Sequence, residues 1–225
     1  MGTGLAAEGS TRAALSRDRI LRTAVAMADA GGLDSLTMRS IGHELGVEAM
    51  SLYNHVKDKG DILGGIADLV LSEFDLDPPA RGWREATRDS AISAHEALLR
   101  HPWSCELILS PRPPRILPAR MRWIESILAR FREAGFSPAA ASRGYHAIDS
   151  HVLGFTLWEL GHRLPADAPP DFLERVMRET DFSAFPYLLE HAEVHRTMSE
   201  AQELGEFEFG LDLILDGLGR HVSSR

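Results

Sequence analysis

A glycine at position 46, set between two short stretches of helical periodicity, constrains this chain more than any other feature of its sequence. The stretch is Thr37 to Lys59, TMRSIGHELGVEAMSLYNHVKDK. Ahead of the glycine, Met38, Ile41 and Leu45 recur three and four residues apart, the spacing that lines one helix face. Thr37 stands where its hydroxyl can accept from a free backbone N–H at the helix start. Gly46 then ends that helix, because glycine alone takes the left-handed conformation without a Cβ clash. The spacing predicts a tight turn at Gly46-Val47 that swings a second helix across the first.

Laid out at about 100° per residue, the second helix separates Ala49, Leu52 and Val56 from Met50, Ser51, Asn54 and His55. The first set packs and the second is free to touch something. Ser, Asn and His carry short donors and acceptors suited to base edges in a major groove, and Met50 can meet a thymine methyl. Tyr53, Lys57 and Lys59 sit at the flank where phosphates would run.

The segment from Leu15 to Phe74 resembles the DNA-binding domain of the TetR family of one-component transcriptional repressors. The resemblance is carried by Ala30-Gly31-Gly32-Leu33, Ser35-Leu36-Thr37-Met38-Arg39, Gly46-Val47, Leu52-Tyr53-Asn54-His55-Val56 and Lys57-Asp58-Lys59. It implies that Thr37 and Arg39 contact the DNA backbone from the first helix of the motif. It also implies that Tyr53, His55 and Lys59 bind phosphate or fix the recognition helix. Positions that read bases vary within the family, so Ala49, Met50, Ser51 and Asn54 are candidates for reading without revealing an operator.

The net charge of −9 is an objection to DNA binding. It is answered by where the charge lies: residues 1–60 hold seven Lys or Arg and seven Asp or Glu, so the acidic excess falls wholly beyond them. Counterion release depends on basic groups beside phosphate, and a remote acidic body mainly weakens non-specific binding.

Ser16 is placed to cap a helix carrying the stripe Leu21, Ala24, Val25 and Ala28, which Gly31-Gly32 ends. Residues 1–14 read as a flexible arm with Arg12 at its end. Asp61 to Phe74 is helical by the spacing of Ile62, Ile66, Leu69 and Val70, and Pro78-Pro79 close it. This predicts a helix-turn-helix domain over 15–77 and a second domain over 81–225. The second domain has no strand-like alternation of any length, so the whole chain is expected to be all-α. Its helices are predicted at Trp83–Arg100, Ala119–Ala134, 138–161 and Glu203–Arg220, with a proline-rich link over Ser110–Pro118.

The last two of those helices are apolar on more than one side, which demands cover on more than one side. Gly210 and Gly217, seven apart, would admit a close neighbour. The expectation is a homodimer built on a four-helix interface, with Ile148, Val152, Phe155, Phe207, Leu211, Ile214 and Leu218 as interface candidates. Two-fold symmetry would then present two recognition helices to a palindromic double-stranded operator. A small-molecule effector is expected among the body helices, with Trp123, Phe131, His146, Phe155 and Trp158 as lining candidates.

Gly205 to Leu218, together with Gly135-Phe136-Ser137 and Gly154-Phe155, resembles the ligand-binding domain of tetracycline-repressor-like members. Matching from Trp83 puts Ser90, Ala94 and Ile108 where tetracycline repressors carry an amide, an aromatic ring and a metal-binding imidazole. A magnesium-drug chelate loses an anchor without that imidazole, which points to the same architecture with a different effector, or none.

No enzyme is read here, since there is no G-x-S-x-G, phosphate loop or dinucleotide fingerprint, and Cys105 has no activating partner. His191 and His195 can share a helix face, but no third ligand follows at convincing spacing, so no metal and no cofactor is expected. The lone cysteine fits a reducing cytoplasm, and no apolar run approaches the roughly 20 residues of a membrane span. The competing reading is a helical small-molecule or metal-binding protein whose head binds DNA weakly or without specificity.

Overall fold

The computed structural model describes residues 14–79, 82–110, 117–162, 169, 171–197 and 205–222, and among these every regular element is a helix. The flexible arm before Ala14 and the proline-rich stretch 111–116 lie outside the described residues. Helix α1 (Arg17–Gly31) starts at Ser16, whose hydroxyl accepts from Arg19 N–H at 3.2 Å. A turn of 3₁₀ helix, Leu33–Ser35, leads into α2 (Met38–Leu45) and α3 (Ala49–Leu52). Ile20, Leu21 and Ala24 of α1 meet Leu36, Ile41, Leu45 and Leu52, all buried in one cluster. Each such aliphatic side chain contributes about 1.5–3 kcal/mol by leaving water.

Helix α4 (Lys59–Leu71) packs on α1 and also on three body helices, α5 (Trp83–Arg100), α6 (Ser104–Leu109) and α7 (Pro118–Glu133). A helix covered on both sides should be apolar all round, and Ile62, Ile66, Ala67, Val70 and Leu71 are all buried. Among its polar residues is Asp68, whose carboxylate accepts the Ala119 N–H at 2.7 Å. That bond caps the start of α7, where Pro118 occupies the first turn and the N-cap residue Leu117 supplies no side-chain cap.

The body is built around α8 (Pro138–His162), which contacts α5, α7 and α11 (Gly205–Gly219). Arg84 and Arg88 of α5 reach Asp212 and Asp216 of α11 at 2.7–3.2 Å, tying those two helices along their exposed edge. Two further helices, α9 (Phe172–Glu179) and α10 (Pro186–Thr197), complete the described chain, and Phe185, Tyr187, Leu188 and Val194 lie exposed there.

The packing corrects part of the expected dimer face. Ile148, Val152, Phe207 and Leu211 are at most 2% exposed within a single chain, so they belong to the subunit's own core. The physical reason is the crossing of α8 and α11 inside one subunit: a Cβ on Gly210 would stand 2.6 Å from the ring of His151. Phe155, Ile214 and Leu218 are half-buried at its margin. The apolar residues that do face outward on these helices are Leu157, Trp158, Phe209 and Leu213.

Candidate DNA-binding face and the polar cluster of the body

The turn between α2 and α3 is closed by two backbone bonds. Gly46, at φ 67° and ψ 37°, donates to His43 carbonyl at 3.0 Å, and Val47 donates to Gly42 carbonyl at 2.9 Å. This pairing satisfies the last carbonyls of α2 and sets the angle at which α3 leaves. Gly42 is needed for a different reason: a Cβ there would sit 2.9 Å from Val47 O and 3.2 Å from the Ala49 backbone. At the other end of α2, Thr37 Oγ1 accepts from Ser40 N–H at 3.0 Å while Ser40 Oγ accepts from Thr37 N–H at 2.9 Å, a reciprocal cap.

Helix α3 has four residues, shorter than the periodicity predicted, and continues as a turn in which His55 N–H donates to Leu52 carbonyl at 2.9 Å. Leu52 and Val56 point into the core. Met50 is 75% exposed, Tyr53, Asn54 and His55 are exposed, and Ala49 and Ser51 are half-buried. Lys57 and Lys59 follow on the surface at the start of α4, where Asp58 accepts from Asp61 N–H at 2.8 Å as the cap. Thr37 and Arg39 are both exposed at the N-terminal end of α2. One surface therefore carries a protruding thioether, an amide, an imidazole, a phenol and two ammonium groups, the kit for reading base edges and gripping phosphates.

The five lining candidates in the body do not converge. Trp123 is fully buried, edge-on to Phe74 and donating its indole N–H to Asp149 at 3.1 Å. Phe131 is fully buried against Trp83 and Phe136. Both fill core space, and His146 projects to the surface beside Tyr145, so these three are corrected. Phe155 and Trp158 are neighbours, with centroids 5.4 Å apart.

Phe155 instead joins a cluster assembled from α5, α8 and α11. His95 is 8% exposed and stacks on Phe207 with centroids 4.0 Å apart and rings 5° from parallel. Its Nδ1 lies 2.8 Å from Thr156 Oγ1 and its Nε2 lies 3.1 Å from Glu159 Oε2. His151 stacks on the same Phe207 ring at 4.8 Å. Burial pushes His95 below its ordinary value of 6.5, against the opposing pull of Glu159, Glu208 and Glu96. The Thr156 hydroxyl itself donates to Val152 carbonyl at 2.6 Å, which leaves its oxygen as an acceptor facing His95 Nδ1.

Residues 77–222 match the profile of the family described as "Tetracyclin repressor-like, C-terminal domain". Over 99% of its length the chain is 30% identical to the HTH-type transcriptional repressor DrrR1 of Streptomyces coeruleorubidus, covering 84% of that protein. The chain belongs to the TetR family of transcriptional regulators. Among solved structures it superposes on ActR of Streptomyces coelicolor in complex with actinorhodin, with a TM-score of 0.75 and 27% identity over 94% of this chain and 99% of that one. BioQ bound to its double-stranded DNA operator gives a TM-score of 0.65 and 25% identity over 92% of this chain and 100% of that one.

In this TetR-family regulator the sequence left two groups of residues unnoticed. Gly42 gave no signal because nothing in a lone helical glycine says that another backbone crosses it. His95 and Glu159 are 64 positions apart by number and only the crossing of α5 with α8 joins them. Thr156 lies one turn beyond Val152 on the buried side of α8.

Proposed function

We propose that this regulator is a ligand-responsive repressor that binds a palindromic operator as a homodimer and leaves it when a small molecule occupies the body. The observation that carries the reading is the outward set Met50, Tyr53, Asn54 and His55, held on a rigid glycine turn beside Lys57 and Lys59. Thr37, Arg39, Tyr53, His55, Lys57 and Lys59 are assigned to the phosphate backbone, and Ala49, Met50, Ser51 and Asn54 to base edges. The division into a head over 15–77 and a body over 81–225 follows the same reading, as does a place in the cytoplasm.

The homodimer rests on a face that the described residues of one subunit leave uncovered. On α8, Gly154, Leu157, Trp158 and Gly161 fall at three- and four-residue intervals, and on α11 Phe209, Leu213 and Gly217 do the same. Phe209 and Leu213 are 69% and 60% exposed, and nothing lies within 4 Å of a Cβ added at Gly154, Gly161 or Gly217. A second copy placed there would bury apolar side chains and approach closely at the glycines, presenting two α3 helices to half-sites about 34 Å apart. The effector site is drawn around His95, Phe155, Trp158 and Phe207, and release requires that the effector bind the DNA-incompetent form better.

The test is a gel shift on a duplex selected by the wild-type protein from a randomised pool. Replacing Arg39, Tyr53 and Lys59 with alanine should abolish the shift while leaving the oligomeric state unchanged. A shift that survives all three changes would place the DNA contact on other residues, and a wild-type chain that selects no duplex would return the chain to the class of small-molecule binders without specific DNA contact.

A further inference from the structure

Asp61 is an acid where acids are unwelcome, one turn from Lys57 and Lys59 on the surface assigned to phosphate. Its side chain is only 8% exposed, and both carboxylate oxygens are engaged. Oδ1 accepts from the Arg17 guanidinium at 2.9 Å, and Oδ2 accepts from Lys57 N–H at 3.0 Å. Capping α4 does not require this carboxylate, because Asp58 already accepts from Asp61 N–H at 2.8 Å. The two Asp61 bonds run elsewhere: one to the loop that carries the lysines, the other to the first residue of α1.

We infer that Asp61 is a positioning residue for DNA binding, which trades indiscriminate affinity for discrimination by fixing the Lys57–Lys59 loop and withholding Arg17 from phosphate. This inference rests on the DNA-binding reading above. The Lys57 bond fixes the loop backbone from which both lysine side chains reach outward, so their ammonium groups meet phosphates in one register relative to α3. The Arg17 bond occupies a guanidinium that is 44% exposed at the edge of the same head. Free of Asp61, that guanidinium would pair with any duplex, since phosphate contacts carry no sequence information. A residue that only held the fold together would act on specific and non-specific binding alike; Asp61 acts on them in opposite directions.

The test uses the full-length chain with two probes, the duplex it selects from a randomised pool and a scrambled duplex of equal length, titrated over a range of salt. Asp61→Asn keeps an acceptor for Lys57 N–H and releases Arg17. It should bind the scrambled duplex several-fold more tightly, with a salt slope steeper by about 0.9, the increment for one added phosphate contact. The ratio of selected to scrambled affinity should fall by about tenfold, from one charged hydrogen bond's share of discrimination. Asp61→Ala, which also frees the loop, should lower the ratio further.

Adding Arg17→Gln to Asp61→Asn should restore the wild-type slope, and this pair decides the matter even where Asp61→Ala fails to fold. Equal loss on both duplexes with an unchanged slope, or no change at all, would overturn the inference and leave the DNA-binding reading standing. A wild-type chain that selects no duplex would overturn the DNA-binding reading, and this inference with it.

Discussion

The indole N–H of Trp103 donates to Oδ1 of Asp29 across 2.7 Å, joining the segment after α5 to the end of α1. The same carboxylate oxygen lies 2.8 Å from His101 Nδ1, and the other nitrogen of that ring lies 3.1 Å from Glu73, just past α4. Arg100 reaches Glu73 as well, at 2.8 Å. One acid from α1 and one following α4 are thus gripped by Arg100, His101 and Trp103 of the body, so the head cannot tilt without breaking this contact.

Asp29→Ala should therefore cost stability as well as coupling. It leaves the largely buried Trp103 donor without its partner, about 1–3 kcal/mol, and a thermal melt should fall by about 2–4 °C for each kcal/mol. A melting temperature equal to that of wild type would show that the indole finds another acceptor.

Acidification should weaken the body through His95. Its folded value is depressed below 6.5 by burial, so the unfolded chain takes up the proton more readily. Its contribution is complete above pH 6.5 and is lost as the pH falls through that value toward the folded one. His95→Gln should flatten the fall in denaturant midpoint between pH 7 and about 5, as one fewer group titrates; an identical pH profile in the variant would exclude this role.

Opposite faces of α11 should respond oppositely to substitution. Leu211→Ala opens a hole in the core and should cost about 2–5 kcal/mol, read by denaturant unfolding. Phe209→Glu should leave the subunit's folding within about 0.5 kcal/mol, as a surface change does, and shift sedimentation toward the monomer. A dimer that persists in Phe209→Glu would place the interface elsewhere.

Met50→Ala should leave the melting temperature unchanged and alter which duplexes are selected. The side chain is 75% exposed and supports nothing in the head. Sequencing the selected pools should show relaxed preference at one position per half-site, at a cost of about 1–3 kcal/mol for the duplex preferred by wild type.

The sequence carried the head and the four long helices of the body, where a stripe of apolar residues answers to a local period and a stop is marked by Gly or Pro, but not the shorter α6, α9 and α10. Thr37, Gly46 and Pro78-Pro79 are signals that a helix writes about itself. What it could not carry was partnership between helices. Phe207 and Leu211 announced an apolar face on α11 without saying that α5 and α8 of the same subunit cover it. Phe209 and Leu213 lie outward on the same helix, and period alone does not rank two apolar faces. Trp123 and Phe131 show the same limit of composition: large aromatic rings serve a cavity and a packed core alike. Asp61 was invisible because its partners, Arg17 and the Lys57 amide, meet it only after α1 and α4 have docked.

The bond from Asp68 to the Ala119 amide has a consequence for dissecting the protein. Helix α7 begins with a terminus that only α4 completes, so a fragment starting after Pro79 would carry a frayed first turn and an uncovered strip along α5, α6 and α7. The two halves are modules in what they touch but share a seam, and a soluble effector-sensing fragment of this regulator must keep residues 59–71 as its own.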